Sequence, residues 1–239
     1  MKKIQKKPLY FILLGIFLNF CSTYSQTSKE ISVYNWFDKN LGVESLDFEN
    51  GLAHLNLDRT INNQHRYYFS QDFQTGSINY NNQNYFDLLL NYDIYNDELV
   101  LKPYGESNTT KINLIKENIG YFKIGNEKFV NLKNLNSTAF RKGYYLEYLA
   151  GNDITLYIKY YKEKKKINKE EVDLIEFVPK YEFVLLKENK FYLINDKKEI
   201  IALYPNSKRK INDFYSTYRS LNKNDTPLFM KNLLKYINN

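Results

Sequence analysis

Short apolar runs separated by turn residues make up most of the chain from Gly51 onward. Such runs flank four groups of turn-forming residues: Asn81-Asn82-Gln83, Gly125-Asn126, Gly151-Asn152-Asp153 and Glu188-Asn189. Apolar runs joined by Asn, Asp and Gly turns predict β-hairpins, and a succession of hairpins predicts an antiparallel meander. We expect about ten to twelve strands, too many for one flat open sheet, so the pattern predicts a mainly β fold forming a sandwich or a partly closed barrel.

One hairpin stands out as the centre of the predicted core. The strand from Tyr85 to Tyr95 is strongly apolar, Asn96-Asp97 turns the chain, and Leu99 to Leu101 returns it. Asp93 lies inside this apolar strand, where a buried acid needs a partner. Farther along, the charged run from Lys162 to Glu171 predicts a solvated loop, and Asn195 to Lys198 predicts a turn between two strands.

Both ends of the β-rich region have helical spacing. Apolar residues three and four apart predict a short N-terminal helix over Glu30 to Leu41, followed by Gly42 as a stop signal. At the C-terminus, Ser207 and the Thr226-Pro227 pair are helix start signals, and each precedes an apolar stripe. The sequence therefore predicts two C-terminal α-helices that cover one face or end of the sheet.

Residues 1–25 have the order of a secretory signal peptide: basic residues, an apolar run from Pro8 to Phe20, and small polar residues up to Ser25. The apolar run is about 13 residues long, shorter than a membrane-spanning helix requires. We predict cleavage after Ser25 and an exported protein, periplasmic or extracellular, with association to the outer membrane as an option. Cys21 suggests lipid attachment as the alternative, but the bulky Phe20 before it does not fit that signal.

The remaining chain, 26–239, is predicted to be a single β-rich domain. A polar break between two blocks, 26–135 and 140–239, is the alternative. The whole chain has 34 basic and 27 acidic residues, and removal of the four leader lysines leaves 30 basic ones, a net charge of about +3. A charge this small argues against a nucleic-acid partner. No segment after the leader has 18 consecutive apolar residues, so no transmembrane span is predicted in the mature chain.

Few residues suggest catalysis. His54 and His65 are the only histidines, Cys21 is the only cysteine, and glycine is too scarce and too scattered for a phosphate-binding loop. Neither histidine has the spacing of a metal site or of a serine-hydrolase motif. We therefore predict no catalytic, cofactor-binding or metal-binding residues. Catalysis by carboxylates alone stays open, because Asp93, Asp97 and Glu98 cluster around one hairpin.

Aromatic residues are in excess, at 17% of the chain, and most of them are tyrosines. Tyrosine offers a broad contact area and a hydroxyl group, which suit carbohydrate or protein partners, although it also fits half-buried strand positions. The predicted binding face consists of Tyr67, Tyr68, Tyr80, Tyr85, Tyr92 and Tyr95.

Two blocks carry a resemblance: Gly76-Ser77-Ile78-Asn79-Tyr80 with the following hairpin to Leu99, and Gly143-Tyr144-Tyr145-Leu146. Together with the helical tail, they resemble a group of small exported β-rich proteins of unknown function from Gram-negative bacteria. The resemblance implies export and a β-rich fold, and it transfers no catalytic residue.

These observations favour a non-enzymatic binding module or an accessory subunit of a cell-envelope assembly at the outer membrane. Its partner would be another envelope protein or a polysaccharide. A carbohydrate-binding or carbohydrate-active protein that uses the Tyr-rich face is the first alternative. The second is a periplasmic carrier that encloses an apolar ligand under the C-terminal helices.

Overall fold

The computed structural model describes residues 23–41, 51–62, 64–103, 110–133, 140–151, 153–169 and 172–238. Most of the predicted leader therefore lies outside the described residues. The chain divides into two compact units, Met1–Asp47 and Phe48–Asn239. In the first unit, helix α1 (Thr23–Leu41) confirms the predicted helix and begins earlier than expected. It runs through the predicted cleavage position and exposes Val33, Trp36 and Phe37.

The second unit is built on one antiparallel sheet, which confirms the mainly β prediction. Its strands are β1 (Leu52–Ala53), β2 (Gln74–Tyr80), β3 (Gln83–Asp93), β4 (Glu98–Lys102), β5 (Ile112–Asn113), β6 (Ile119–Ile124), β7 (Glu127–Asn131), β8 (Tyr144–Gly151), β9 (Ile154–Lys169), β10 (Val172–Lys187) and β11 (Lys190–Leu193). The order across the sheet is β1-β5-β4-β3-β2-β6-β7-β8-β9-β10-β11. Since β7 pairs with β8, the sheet continues across the polar stretch that suggested a break.

The sheet curls, since one segment contacts both β3, the fourth strand of the sheet, and β10, the tenth. This crossing segment comprises residues 54–62 and 64–70. Tyr68 N–H donates to the carbonyl of Tyr92 on β3 at 2.8 Å, and Ile175 N–H on β10 donates to the carbonyl of Arg59 at 2.8 Å. Tyr95, just after β3, also packs edge-on against Phe177 on β10, with ring centroids 5.3 Å apart. The result is a single curled sheet, closer to a partly closed barrel than to two stacked sheets.

The hairpins follow the predicted turn chemistry. Asn81 and Asn82 form the turn between β2 and β3 with φ of 50° and 65°, a conformation that asparagine tolerates better than most residues. Leu90 and Tyr92 on β3 are fully buried, and so are Leu99 and Val100 on β4. The predicted central hairpin is therefore part of the core.

Two local predictions were wrong. The charged run from Lys162 is not a loop, because β9 extends to Lys169 and pairs residue by residue with β10. The expected turn at 195–198 is the start of a helix instead. Asp196 accepts a hydrogen bond from Glu199 N–H at 2.9 Å while the Glu199 carboxylate accepts from Asp196 N–H at 3.0 Å, a capping box.

The C-terminal part contains more helices than the two predicted. They are α2 (Lys197–Leu203), α3 (Lys208–Thr217), α4 (Arg219–Asn224) and α5 (Thr226–Asn238). Helix α5 begins at the predicted Thr226-Pro227 signal and buries Phe229, Met230 and Leu233. Within the described residues, every helix is too short or too polar to cross a bilayer.

Candidate functional site

An open cavity of about 430 Å³ lies where β9 and β10 approach the start of α5. We call it the aromatic cleft, since five of its lining residues are Tyr68, Phe69, Tyr160, Tyr161 and Tyr181. Its volume falls in the range of small-molecule sites in proteins.

Strand register builds the wall of the cleft. Tyr160 on β9 is the cross-strand partner of Tyr181 on β10, and their ring centroids are 5.5 Å apart with planes at 89°. The crossing segment adds Tyr68, whose ring centroid lies 4.7 Å from that of Tyr160 at 78°. These edge-to-face contacts fix the three rings as one wall. At the rim, Phe69 is 76% exposed and has its ring free for a ligand.

Polar groups stand beside this wall. Tyr68 Oη donates a hydrogen bond to Glu127 Oε2 at 2.7 Å, and Lys231 Nζ lies 3.7 Å from Glu127 Oε1. Burial, together with Tyr160 and Glu127, raises the pKa of Tyr68 well above its usual value, so its hydroxyl stays a neutral donor. Asp225 caps α5 by accepting the N–H of Leu228 at 3.0 Å, and it is among the residues that line the cleft. The cleft thus combines aromatic ring faces with hydrogen-bond donors and hydrogen-bond acceptors.

The structure does not gather the six predicted tyrosines on one exposed face. Tyr67, Tyr80, Tyr85 and Tyr92 are buried and serve the core. Tyr68 and Tyr95 are partly exposed, and of these two only Tyr68 lines the aromatic cleft. Burial of a large aromatic ring stabilises the core when the hydroxyl finds a partner, as the Tyr92 hydroxyl does at Asp97.

The two histidines lie on either side of Tyr67. His54 Nδ1 is 2.7 Å from Asn113 Oδ1, and His54 Nε2 is 2.9 Å from Tyr67 Oη. An amide oxygen accepts only, so Nδ1 carries the proton and Nε2 accepts from the tyrosine hydroxyl. Burial lowers the pKa of His54, in agreement with this neutral imidazole. The ring of His65 stacks on Tyr67, with centroids 6.3 Å apart.

His54 also approaches two carboxylates, and ligand atoms of His54, Asp93 and Glu98 lie within 4.8 Å of one another. Protein groups already occupy this donor set. Arg66 Nε lies 2.7 Å from Asp93 Oδ2, and Glu98 Oε2 accepts from Asn113 Nδ2 at 3.0 Å. We therefore assign these groups to a buried network of ion pairs and hydrogen bonds. Arg66 is the partner that the sequence demanded for Asp93.

The hairpin acid Asp97 occupies a different setting. Its carboxylate binds the ammonium groups of both Lys116 and Lys159, and it accepts the hydroxyl of Tyr92 at 2.5 Å. Gly143 packs against this carboxylate with φ of 115°, and a Cβ there would overlap Asp97 and Lys159. Burial lowers the pKa of Lys159 to about 8, and the charge of Asp97 opposes that shift.

Sequence reasoning missed Phe69, Tyr160, Tyr181 and Lys159. Lys159 carried a usable signal, since a lysine inside the apolar run from Ile154 to Tyr161 indicates a buried charge, as Asp93 did. The tyrosines carried none, because they are brought together by pairing between strands.

Comparison of the chain with protein-family models, with curated proteins and with solved structures finds no match. The functional argument therefore rests on the residues of the cleft and its surroundings.

Proposed function

We propose that the chain is an exported, non-enzymatic binding protein that holds a saccharide in the aromatic cleft. The observation that carries the proposal is the wall of Tyr68, Tyr160 and Tyr181 beside the carboxylates of Glu127 and Asp225. A sugar ring has apolar C–H faces and polar hydroxyl edges. Aromatic faces stack on the former, while carboxylates, amides and ammonium groups bind the latter. Export rests on the leader-like pattern of residues 1–25.

A polar ligand suits the cleft better than the apolar cargo of a carrier. Glu127, Asp225, Lys162 and Lys231 all line it, and an apolar ligand would desolvate these charges without compensation. Membership of a cell-envelope assembly stays a prediction, which affinity capture from the native envelope would test.

Calorimetric titration with the saccharides selected on a glycan array tests the proposal. We expect Phe69→Ala to weaken binding by about 5- to 10-fold, because one stacking surface is lost. The matched control is Phe191→Ala, which removes a partly exposed ring on β11 outside the cleft and should leave affinity unchanged. Equal losses in both variants, or the absence of any saccharide ligand, would contradict the proposal.

A further inference from the structure

A second cavity of about 340 Å³ adjoins the aromatic cleft. The two cavities share the lining residues Ile94, Tyr161 and Lys162, so they are neighbouring parts of one surface. We call the second one the basic lobe, because Arg141, Lys142, Lys159 and Lys162 line it.

The acids of the basic lobe do not balance these four cations. The Asp97 carboxylate pairs with both Lys159 and Lys116, and it also accepts a hydrogen bond from the Tyr92 hydroxyl. Glu163 lies 3.6 Å from Lys180, a lysine outside the lobe. Positive charge is therefore in excess around the cavity, and a bound anion would balance it.

Lys162, at the junction with the aromatic cleft, shows the imbalance most clearly. Its ammonium donates to the backbone carbonyls of His65 and Tyr67, the latter at 3.0 Å. It forms no ion pair with any carboxylate of the described residues. Burial lowers the pKa of Lys162 to about 8, with only Asp93 opposing, as expected for a desolvated cation short of negative charge.

Arg141 also lines the lobe. Its guanidinium carbon lies over the Tyr161 ring, 4.0 Å from the ring centre, so a cation–π contact positions the group. The nearest acid, Glu182, is 4.0 Å from Arg141 Nε and is already bound by the Tyr145 hydroxyl at 2.6 Å. A planar guanidinium held in this way suits two-point binding of an oxyanion.

We propose that the basic lobe binds an oxyanion, a carboxylate or a sulfate ester, of a saccharide whose ring stacks in the aromatic cleft. The inference rests on the proposed function and narrows it from saccharides in general to acidic ones. Lys162 contacts both parts of the ligand, because it lines both cavities. The bound anion compensates the positive charge that Asp97 and Glu163 leave unbalanced.

The probes are galacturonate, mannuronate and glucuronate trisaccharides, each paired with its neutral methyl ester, and galactose 6-sulfate paired with neutral galactose. Calorimetry at pH 7 should show at least one acid binding about tenfold or more tightly than its neutral partner. The uronate and sulfate pairs tell which oxyanion is preferred. Lys162→Met and Arg141→Met should remove the preference.

The matched control is Lys165→Met, three residues along β9, where the lysine pairs with Glu176 on the surface. It should keep the preference for acids. The preference should also decline as the pH rises above about 8, since Lys159 and Lys162 lose their charge there.

Equal affinity for acids and for their neutral partners would overturn the inference and leave the proposed function standing. The inference would also be overturned, with the proposed function still standing, if neutral saccharides bind and the Lys162→Met protein keeps its full preference for acids. If no saccharide of either kind binds the wild-type protein, the proposed function fails, and the inference fails with it.

Discussion

Two aspartates at the ends of one turn, Asp93 and Asp97, carry their charges in opposite settings. Asp93 ends β3 and is fully buried, and it accepts the N–H groups of Tyr95 and Asn96 at 3.0 and 3.1 Å. Asp97 precedes β4 with φ of 61°, and its side chain is 16% exposed at the basic lobe. Only three residues therefore separate a closed cluster of charges around Asp93 from an open one around Asp97.

The closed cluster is balanced. Arg66 pairs with Asp93 and lies 3.7 Å from Asp58, and Asp58 also binds Lys164 at 2.5 Å. In these ion pairs two acids face two bases, while Glu98 of the same network is hydrogen-bonded to Asn113. The ion pairs tie the crossing segment to β3 and β9. In the open cluster one acid faces two lysines beside a cavity. The two clusters therefore differ in charge balance, and we expect only the open one to accept a charged ligand.

The largest expected effect comes from the closed cluster. Arg66→Met leaves Asp93 buried without a counter-charge and should lower the free energy of unfolding by about 3–5 kcal/mol. Denaturant titration followed by circular dichroism measures this. An exposed ion pair usually contributes no more than about 1 kcal/mol. A loss below about 1 kcal/mol would therefore show that the ion pair of Asp93 is no more important for stability than an exposed one.

Gly143→Ala tests how tightly the open cluster is packed. Its Cβ would overlap the Asp97 carboxylate and the Lys159 ammonium, in addition to the strain at φ of 115°. The control Gly125→Ala has a positive φ of 57° and no atom within 4 Å of the new Cβ. We expect Gly143→Ala to cost about 1–3 kcal/mol more than the control in thermal or denaturant unfolding, because the overlap adds to the strain. Equal losses of unfolding free energy in the two variants would mean that the Asp97 carboxylate moves aside at no cost.

The pH dependence of stability isolates Lys159. Its pKa of about 8 in the folded protein lies below the unfolded value near 10.4, so the unfolded chain binds more protons between these limits. Stability from this group therefore rises with pH across that window. The free-energy difference between wild type and Lys159→Met should grow in favour of the wild type by about 1 kcal/mol from pH 8 to pH 9. The buried tyrosines act equally in both proteins, and a flat difference would contradict the lowered pKa.

The smallest effect is expected for Lys159→Met at pH 7. Asp97 keeps Lys116 and the Tyr92 hydroxyl, and methionine fills a similar volume without a buried charge. The free energy of unfolding should change by less than about 1 kcal/mol, in contrast to Arg66→Met. Chemical denaturation of the two variants side by side measures the contrast. A loss as large as that of Arg66→Met would show that both clusters are structural.

Much of the fold could be predicted from the sequence because its turns are local. Asn81-Asn82 and Gly125-Asn126 mark hairpins through their own backbone preferences. The prediction of a loop from Lys162 was wrong, because charged residues were taken as a sign of a solvated loop. Backbone pairing with β10 keeps this run in a strand. The helix at Lys197 was also overlooked, although Asp196 and Glu199 have the spacing of a capping box.

The site was less predictable, because its parts come from distant stretches of the chain. Tyr68 and Tyr160 come into contact only when the crossing segment packs against β9. Because they are far apart in the sequence, no local pattern predicts this contact. The buried charges were partly readable. Asp93 in an apolar strand did require a partner, whereas Lys159, in the same situation on β9, was passed over.

The crossing segment also bears on how the protein folds. The β9–β10 hairpin and its neighbours need only local contacts, whereas the bridge between Thr60 and Ile175 must close a loop of more than a hundred residues. Such closure has a large entropic cost and slows folding, so the meander should form before the segment docks. The aromatic cleft is completed only by that last step, since Tyr68 arrives with the segment. If the proposed ligand binds in the cleft, it should hold this final folding unit in place. The amide protons of residues 64–70 should then exchange more slowly in its presence.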